Sequence, residues 1–169
     1  MNEKLQSIKE VIEKASEKAT WRITKYANDK DYKAGKFYEE VRFIGNILVN
    51  QGINEVFTLI ASDSSGTRFA NAYARLVVGT GTSAAAATDV FATFTSGTTK
   101  IMMAGFPTYG TDQKAVWKSS FGGDEANQAW NEFGVLNQLG GSLLNRKVSS
   151  QGTKISGQTW ELELEISLS

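Results

Sequence analysis

The stretch QTWELELEISLS, residues 158–169, decides the fold. Large apolar residues alternate in it with glutamate and small polar residues. Because successive side chains of a β-strand point to opposite faces, this period of two predicts a strand with one apolar and one acidic face. Such a face must be covered by a second layer of structure. The residues expected to be buried are Trp160, Leu162, Leu164, Ile166 and Leu168.

Short segments with the same alternation recur upstream between glycine-rich turns. Residues 20–26, 37–44 and 113–121 are predicted strands, and residues 132–137 and 143–148 are predicted to pair as a hairpin. Many short strands separated by such turns are typical of a β-sandwich, a barrel or a jelly-roll-like domain. The sequence therefore predicts a mainly β (α+β) fold.

Large aromatic residues fall inside these alternating patterns, which places them in the predicted core rather than on a sugar-binding platform. Two other aromatic residues lie beside glycines and the only proline of the chain, so we expect them to make exposed contacts. The core set is Trp117, Phe121, Trp130, Phe133 and Trp160, and the contact set is Phe106 and Tyr109.

Two segments depart from the β pattern. Residues 45–60 have apolar side chains too densely spaced for a surface helix with one apolar face, which predicts a short buried helical segment. Residues 3–18 have a single thin apolar stripe at three- and four-residue spacing, which predicts an amphipathic helix. That stripe consists of Leu5, Ile8, Val11, Ile12, Ala15 and Ala19.

The chain is accordingly divided into an N-terminal helical arm, residues 1–20, and a β-rich domain, residues 21–169. A short helix is marginal alone in water, so the arm must dock, either on its own sheet or on another copy. The domain has enough apolar strands to fold without it, so we expect the arm to reach a neighbouring subunit. Its predicted interface residues are Leu5, Ile8, Ile12 and Ala15.

Composition narrows the possible functions. Histidine and cysteine are both absent, which removes Ser-His and Cys-His dyads, disulfides and ordinary zinc sites. Lys plus Arg and Asp plus Glu each number 18, so no net field attracts nucleic acid or an anionic membrane. The charged N-terminal residues do not resemble a signal peptide, and we expect synthesis in a cytosol. No nucleic acid, membrane or cofactor is expected as a partner.

Two fragments resemble catalytic or ligand-binding motifs. Gly79-Thr80-Gly81 follows residues 72–78, which are also a predicted strand, but the third glycine and the lysine of nucleotide-binding fingerprints are missing. Glu161, Glu163 and Glu165 form a row whose spacing any strand face provides, so glycoside hydrolysis is a weak interpretation. We expect the row to face water or a basic neighbouring strand, and on an edge strand it would also deter unwanted pairing. The candidate neighbours are Lys114, Lys118, Arg146 and Lys147. We assign no catalytic or metal-binding residue and expect a protein that is not an enzyme.

Several motifs together resemble a family of virion proteins of tailed bacteriophages. The resemblance covers most of the chain from about Trp21, and residues 1–20 fall outside it. It rests on segments 46–53 (NILVNQGI), 71–79 (NAYARLVVG), 106–110 (FPTYG), 117–122 (WKSSFG), 129–135 (AWNEFGV), 144–147 (LNRK) and 152–154 (GTK), and on the Trp160 strand.

Within that family the chain looks like a head decoration, or cement, protein. The resemblance implies a non-enzymatic β domain that forms a homotrimer on the major capsid protein and holds neighbouring capsomers together at the virion surface. It supplies no catalytic motif. The alternative is a module of the tail or a fibre, which could bind host-surface glycan through the loops around 106–110 and 122–124.

Overall fold

The computed structural model describes residues 17–62 and 65–168. Two helices and a single 3-10 turn accompany ten strands in this part of the chain. The helices are α1 (Asp29–Lys33) and α2 (Asn50–Ala61), and the 3-10 turn is Phe91–Thr93. The strands are β1 (Glu17–Tyr26), β2 (Glu39–Ile44), β3 (Ile47–Leu48), β4 (Arg75–Gly79), β5 (Thr98–Ile101), β6 (Thr108–Thr111), β7 (Lys114–Phe121), β8 (Glu132–Leu136), β9 (Leu143–Val148) and β10 (Thr159–Leu168).

The strands form two antiparallel five-stranded sheets, which confirms the predicted mainly β fold and makes it a β-sandwich. The first sheet has the order β2-β1-β10-β7-β6 and the second has the order β3-β9-β8-β4-β5. Strand β10 lies at the centre of the first sheet, paired with β1 on one side and β7 on the other. The interpretation of β10 as an edge strand is therefore wrong, because both of its edges are occupied.

The core lies between the sheets and is dominated by aromatic rings. Trp130 packs edge-on against Phe121 and Trp160, with ring centroids 5.0 Å apart in both pairs. All five aromatic residues predicted for the core are buried. Burial of apolar surface is the dominant favourable contribution to folding and aromatic side chains bury large areas, so this cluster holds the two sheets together.

The apolar face of β10 leaves the core before the strand ends. Trp160, Leu162 and Leu164 are buried, as predicted, but Ile166 is half-buried and Leu168 is exposed. The last two belong to the part of β10 that pairs with the start of β1 and the start of β7. The expectation that all five apolar residues are buried is therefore wrong at this end of the sandwich.

Strand β1 begins four residues before the end of the predicted arm. Glu17 pairs with Leu168, and Ala19, which was assigned to the helical stripe, is a buried strand residue opposite Ile166. Residues 17–20 thus belong to the β domain. Although the helical spacing of apolar residues extends to Ala19, the hydrogen bonds and burial gained by pairing with β10 favour a strand there. Residues 1–16, with the predicted interface residues Leu5, Ile8, Ile12 and Ala15, lie outside the described residues.

Helix α2 accounts for residues 50–60 of the predicted helical segment 45–60, but Ile47–Leu48 is strand β3 instead and the helix is not buried. Gly52 is its only buried residue, whereas Phe57 and Ile60 are mostly exposed. The helix lies on the end of strand β9, where only one of its sides meets the core through Val56. The prediction of a buried helix was wrong because apolar density around a helix does not show whether the domain itself covers every side.

Candidate interaction surfaces

The acidic row on β10 is neutralised by basic residues of the two adjacent strands. Glu163 accepts a hydrogen bond from Arg22 of β1 at 2.6 Å. Glu161 and Glu165 form ion pairs with Lys118 at 3.0 Å and with Lys114 at 3.2 Å, both on β7. The prediction of basic neighbours is therefore confirmed for two of the four candidate lysines and arginines, and Arg22 is the partner that the sequence analysis missed.

The charged side chains in this row stabilise one another. The hydrogen bond to Glu163 raises the pKa of the Arg22 guanidinium, although burial opposes it. Burial, reinforced by the Glu161 carboxylate, raises the pKa of the Tyr26 hydroxyl. A general acid of a glycosidase requires a carboxyl group that stays protonated near neutral pH. In this row each glutamate instead forms an ion pair that joins β10 to β1 or β7, so the geometry favours a structural role over acid catalysis.

Arg146, predicted as a partner of this row, lies instead in a buried ion cluster of the other sheet. Its guanidinium contacts Glu132 at 2.6 Å and Asp89 at 2.8 Å. Neither Arg146 nor Glu132 is appreciably exposed. Burial opposes the charge on the guanidinium, yet hydrogen bonds from it to both carboxylates raise the pKa of Arg146 above its ordinary value. The arrangement links β8, β9 and the loop containing Asp89.

The same Glu132 explains the glycine-rich turn after β4. Its Oε1 accepts hydrogen bonds from the backbone N–H groups of Gly81 at 2.8 Å and Thr95 at 2.7 Å. A Cβ on Gly79 or Gly81 would lie within 2.6 Å of that same oxygen. The turn is therefore glycine-rich so that the backbone can approach a buried carboxylate, and the donors that a phosphate would need are already used.

Lys154 is a further buried basic residue outside these clusters. Its ammonium group donates to the carbonyl oxygen of Gly122 at 2.7 Å and to Oδ1 of Asn127 at 2.8 Å. Burial lowers the pKa of Lys154, and the nearby Glu125 and Asp124 carboxylates oppose that shift. A lowered lysine pKa can indicate a nucleophile. Here the side chain is enclosed, and its hydrogen bonds join two loops, which fits an anchor.

The largest exposed apolar side chains near one end of the sandwich belong to α2 and its surroundings. Phe57 is 63% exposed and Ile60 is 74% exposed. Their neighbour Leu59 lines a cavity together with Tyr73 and Gln138, and Leu139 after Gln138 is also exposed. Residues three apart are neighbours on a helix surface, so the exposed Phe57 and Ile60 lie side by side on α2. Exposed apolar side chains that lie together commonly mark a site of protein–protein contact. We call Phe57 and Ile60 the α2 surface.

The α2 surface was missed because Phe57 and Ile60 were assigned to a buried helical segment by their hydrophobicity. The sequence does contain one indication of their exposure. Gly52 interrupts the apolar run, and in the structure a Cβ at that position would lie 2.4 Å from the Cα of Leu144. A glycine in a helix interior is unfavourable unless the backbone must approach another element closely, so Gly52 shows which side of α2 faces the domain.

The two predicted contact residues of the 106–110 loop differ in their environments. Tyr109 is 77% exposed, as expected for a contact residue. Phe106 is half-buried and packs against the core, and Asn71 donates a side-chain hydrogen bond to its carbonyl oxygen. Tyr109 lines a cavity of about 430 Å³ together with Arg68, Phe69 and Pro107. The loop therefore presents Tyr109 to solvent while Phe106 holds it in place.

Residues 17–62 and 65–168 contain no cluster of acidic side chains arranged to hold a metal ion. In the same residues, no helix combines the length and the hydrophobicity needed to cross a bilayer. Comparison of the chain with protein-family models, curated protein sequences and solved structures finds no match. Function must therefore be argued from the surfaces described above.

Proposed function

We propose that the protein is a non-enzymatic structural protein of a tailed-phage virion that binds the outer surface of the capsid. The observation that carries the proposal is the α2 surface, in which Phe57 and Ile60 are held in water by a short helix. Removing such side chains from water favours association by about 25 cal/mol per Å² of apolar surface. The sequence resemblance to head decoration proteins supplies the partner, the major capsid protein.

The distribution of charge supports a structural role for the rest of the domain. The acidic row of β10 and the Glu132 cluster are both satisfied by internal ion pairs. The apolar α2 surface thus differs from the paired, polar outer face of the first sheet. A decoration protein acts through many modest contacts repeated over a shell, and an apolar patch on each copy fits that requirement. Because the resemblance to decoration proteins implies a homotrimer, we also propose that the protein binds the capsid as a trimer.

The direct test is cryo-electron microscopy of the virion that carries this chain. The proposal expects density for the sandwich on the outer face of the head, with α2 directed toward the capsid. Density confined to the tail would contradict it. Such a result would favour the alternative function, that of a tail or fibre module.

A binding assay with matched variants tests which surface is used. Phe57→Ser combined with Ile60→Ser is expected to weaken sedimentation of the purified protein with undecorated capsids, because it removes the apolar side chains of the α2 surface. Phe37→Ser is the control. Phe37 is also more than half exposed, but it lies near Tyr26, at the opposite end of β1 from Glu17. Equal losses for the two variants would contradict the assignment of α2 as the contact.

A specific observation also favours the glycan-binding alternative. Tyr109 extends into solvent beside a cavity that Arg68 and Pro107 also line. An exposed aromatic ring next to a hydrogen-bond donor suits a sugar, which presents an apolar face and hydroxyl groups. Glycan-array binding that is lost in Tyr109→Ala and kept in the α2 variant would favour this function over capsid binding.

A further inference from the structure

An apolar groove opens between the two sheets at the end where β10 leaves the core. It has a volume of about 530 Å³. The first sheet contributes Ala115, Trp117, Ile166 and Leu168, and the other wall contains Leu48, Val56 and Leu144. These are the same alternating positions that form the core further along the strands. The groove is thus a continuation of the core that the described residues leave open.

The chain enters the described structure beside this groove. Glu17, the first residue of β1, is paired with Leu168, and Ala19 is paired with Ile166. Glu17 therefore lies next to the groove wall that Leu168 forms, since paired strands lie about 5 Å apart. The sixteen residues before Glu17 need no linker to reach it.

The sequence of residues 1–16 suits such a groove. Leu5, Ile8, Val11, Ile12 and Ala15 would share one side of a helix, and Glu10 would lie on the other side. A helix of this segment would be about 24 Å long. The distance from β1 across β10 and β7 to β6 is about 14 Å at the usual spacing of paired strands. The apolar stripe is thus long enough to cover the open end.

We propose that the apolar side of residues 1–16 closes this groove in the same chain, as the missing part of the core. The occupant is the chain's own segment rather than that of a second copy, because a directly attached segment has an effective concentration in the millimolar range. A second copy competes only when the free protein reaches a similar concentration. This differs from the expectation from sequence that the stripe contacts a neighbouring subunit.

Site-specific cross-linking of the full chain tests the proposal. Because the chain has no native cysteine, only the introduced thiols react. The variant Ile8→Cys with Ala115→Cys places one thiol on the apolar stripe and one in the groove. Treatment with a short bis-maleimide at micromolar protein is expected to give a cross-link within one chain, seen as a monomer of altered mobility. Ile12→Cys with Ala115→Cys provides a second register of the same contact.

The matched control is Glu10→Cys with Ala115→Cys, which moves the first thiol to the polar side of the predicted helix. We expect it to react at least about tenfold more slowly, because orientation as well as tethering sets the rate. Equal rates for control and test variants would overturn the proposal, since the segment would then only collide with the groove. Absence of any cross-link in both registers would also overturn it.

Mixing distinguishes the chain's own segment from that of a second copy. Single variants Ile8→Cys and Ala115→Cys, combined in equal amounts, are expected to give little cross-linked dimer. A dimer formed as fast as the intramolecular product would overturn the proposal and assign the groove to a neighbouring copy. The experiment uses the purified chain alone and does not rest on the capsid assignment. Its failure is therefore distinguishable from that of virion imaging.

Discussion

Strand β10 and helix α2 are both rich in large apolar residues, but the domain uses them differently. Trp160 and Leu162 of β10 are enclosed between two sheets, whereas Phe57 and Ile60 of α2 face water. The strand has paired neighbours on both edges, while the helix touches the domain along one side. The hydrophobicity of a segment therefore does not decide whether it serves folding or contact. What decides it is how many sides the rest of the chain covers.

The largest difference between the two regions should appear in stability. Trp160→Ala is expected to lower the free energy of unfolding by about 4 kcal/mol, because it leaves a cavity among packed aromatic rings. Phe57→Ala should change the same free energy by less than about 0.5 kcal/mol, as for most exposed positions. Urea denaturation monitored by circular dichroism measures both. A cost at Phe57 close to that at Trp160 would show that α2 is part of the core after all.

The contact between α2 and β9 offers a sharper test of how the helix and the core strand differ. Gly52→Val should destabilise the domain by about 1–3 kcal/mol, because the new side chain overlaps the backbone of Leu143 and Leu144. The control is Asn54→Val, an equally β-branched replacement at an exposed position of the same helix. Thermal unfolding of the pair isolates the effect of close approach from that of helix propensity. If both cost the same, the contact with β9 contributes nothing.

The acidic row of β10 should matter much less than its apolar face. Glu163→Gln removes the ion pair between Glu163 and Arg22. Both of these side chains are partly solvated, so the substitution should lower the free energy of unfolding by less than about 1 kcal/mol. Glu161→Gln should cost more, because Glu161 is nearly buried, forms an ion pair with Lys118 and accepts a hydrogen bond from the Tyr26 hydroxyl. Chemical denaturation in low salt measures the order of the two. The reverse order would contradict a structural role for the row.

The smallest expected effect is a pH dependence at Glu125. Burial acts to raise its pKa, but hydrogen bonds from Lys100 and the Gly122 N–H group, with the charges of Lys100 and Lys154, hold the pKa of Glu125 below its ordinary 4.5. A lowered carboxyl pKa contributes stability that is present above 4.5 and lost as the pH falls through the lower value in the folded protein. Glu125→Gln should therefore flatten the acid side of the plot of unfolding free energy against pH. An unchanged slope would contradict this assignment.

Local alternation let the sequence predict the strands and most of the core. The period of two in β10, β7 and β1 is set by each strand's own residues and by burial on one side, so it is visible without a structure. Alternation failed at Leu168, and the helical spacing failed at Ala19, because pairing partners far away in sequence decide where a strand begins and where it leaves the core. Arg146 was assigned to the wrong sheet for the same reason.

The candidate contact surfaces were less predictable than the fold. Tyr109 was identified from its turn-rich surroundings, but Phe57 and Ile60 were assigned to the interior. Exposure of an apolar side chain depends on which elements cover it, and among the elements of residues 17–62 and 65–168 α2 packs mainly on β9. Gly52 was the one residue in the sequence that could have indicated the covered side.

The close approach of Gly52 to strand β9 fixes the orientation of helix α2. The helix backbone at Gly52 lies directly against Leu144, and the Gln51 side chain accepts a hydrogen bond from the Leu143 N–H group. Because no side chain separates α2 from β9 at this point, the helix cannot easily rotate about its axis. The outward direction of Phe57 and Ile60 is therefore set before any partner arrives. A surface fixed in this way loses little conformational entropy on association, so a few apolar side chains can give a useful affinity. In a repeated shell, that preorganisation would act at every copy.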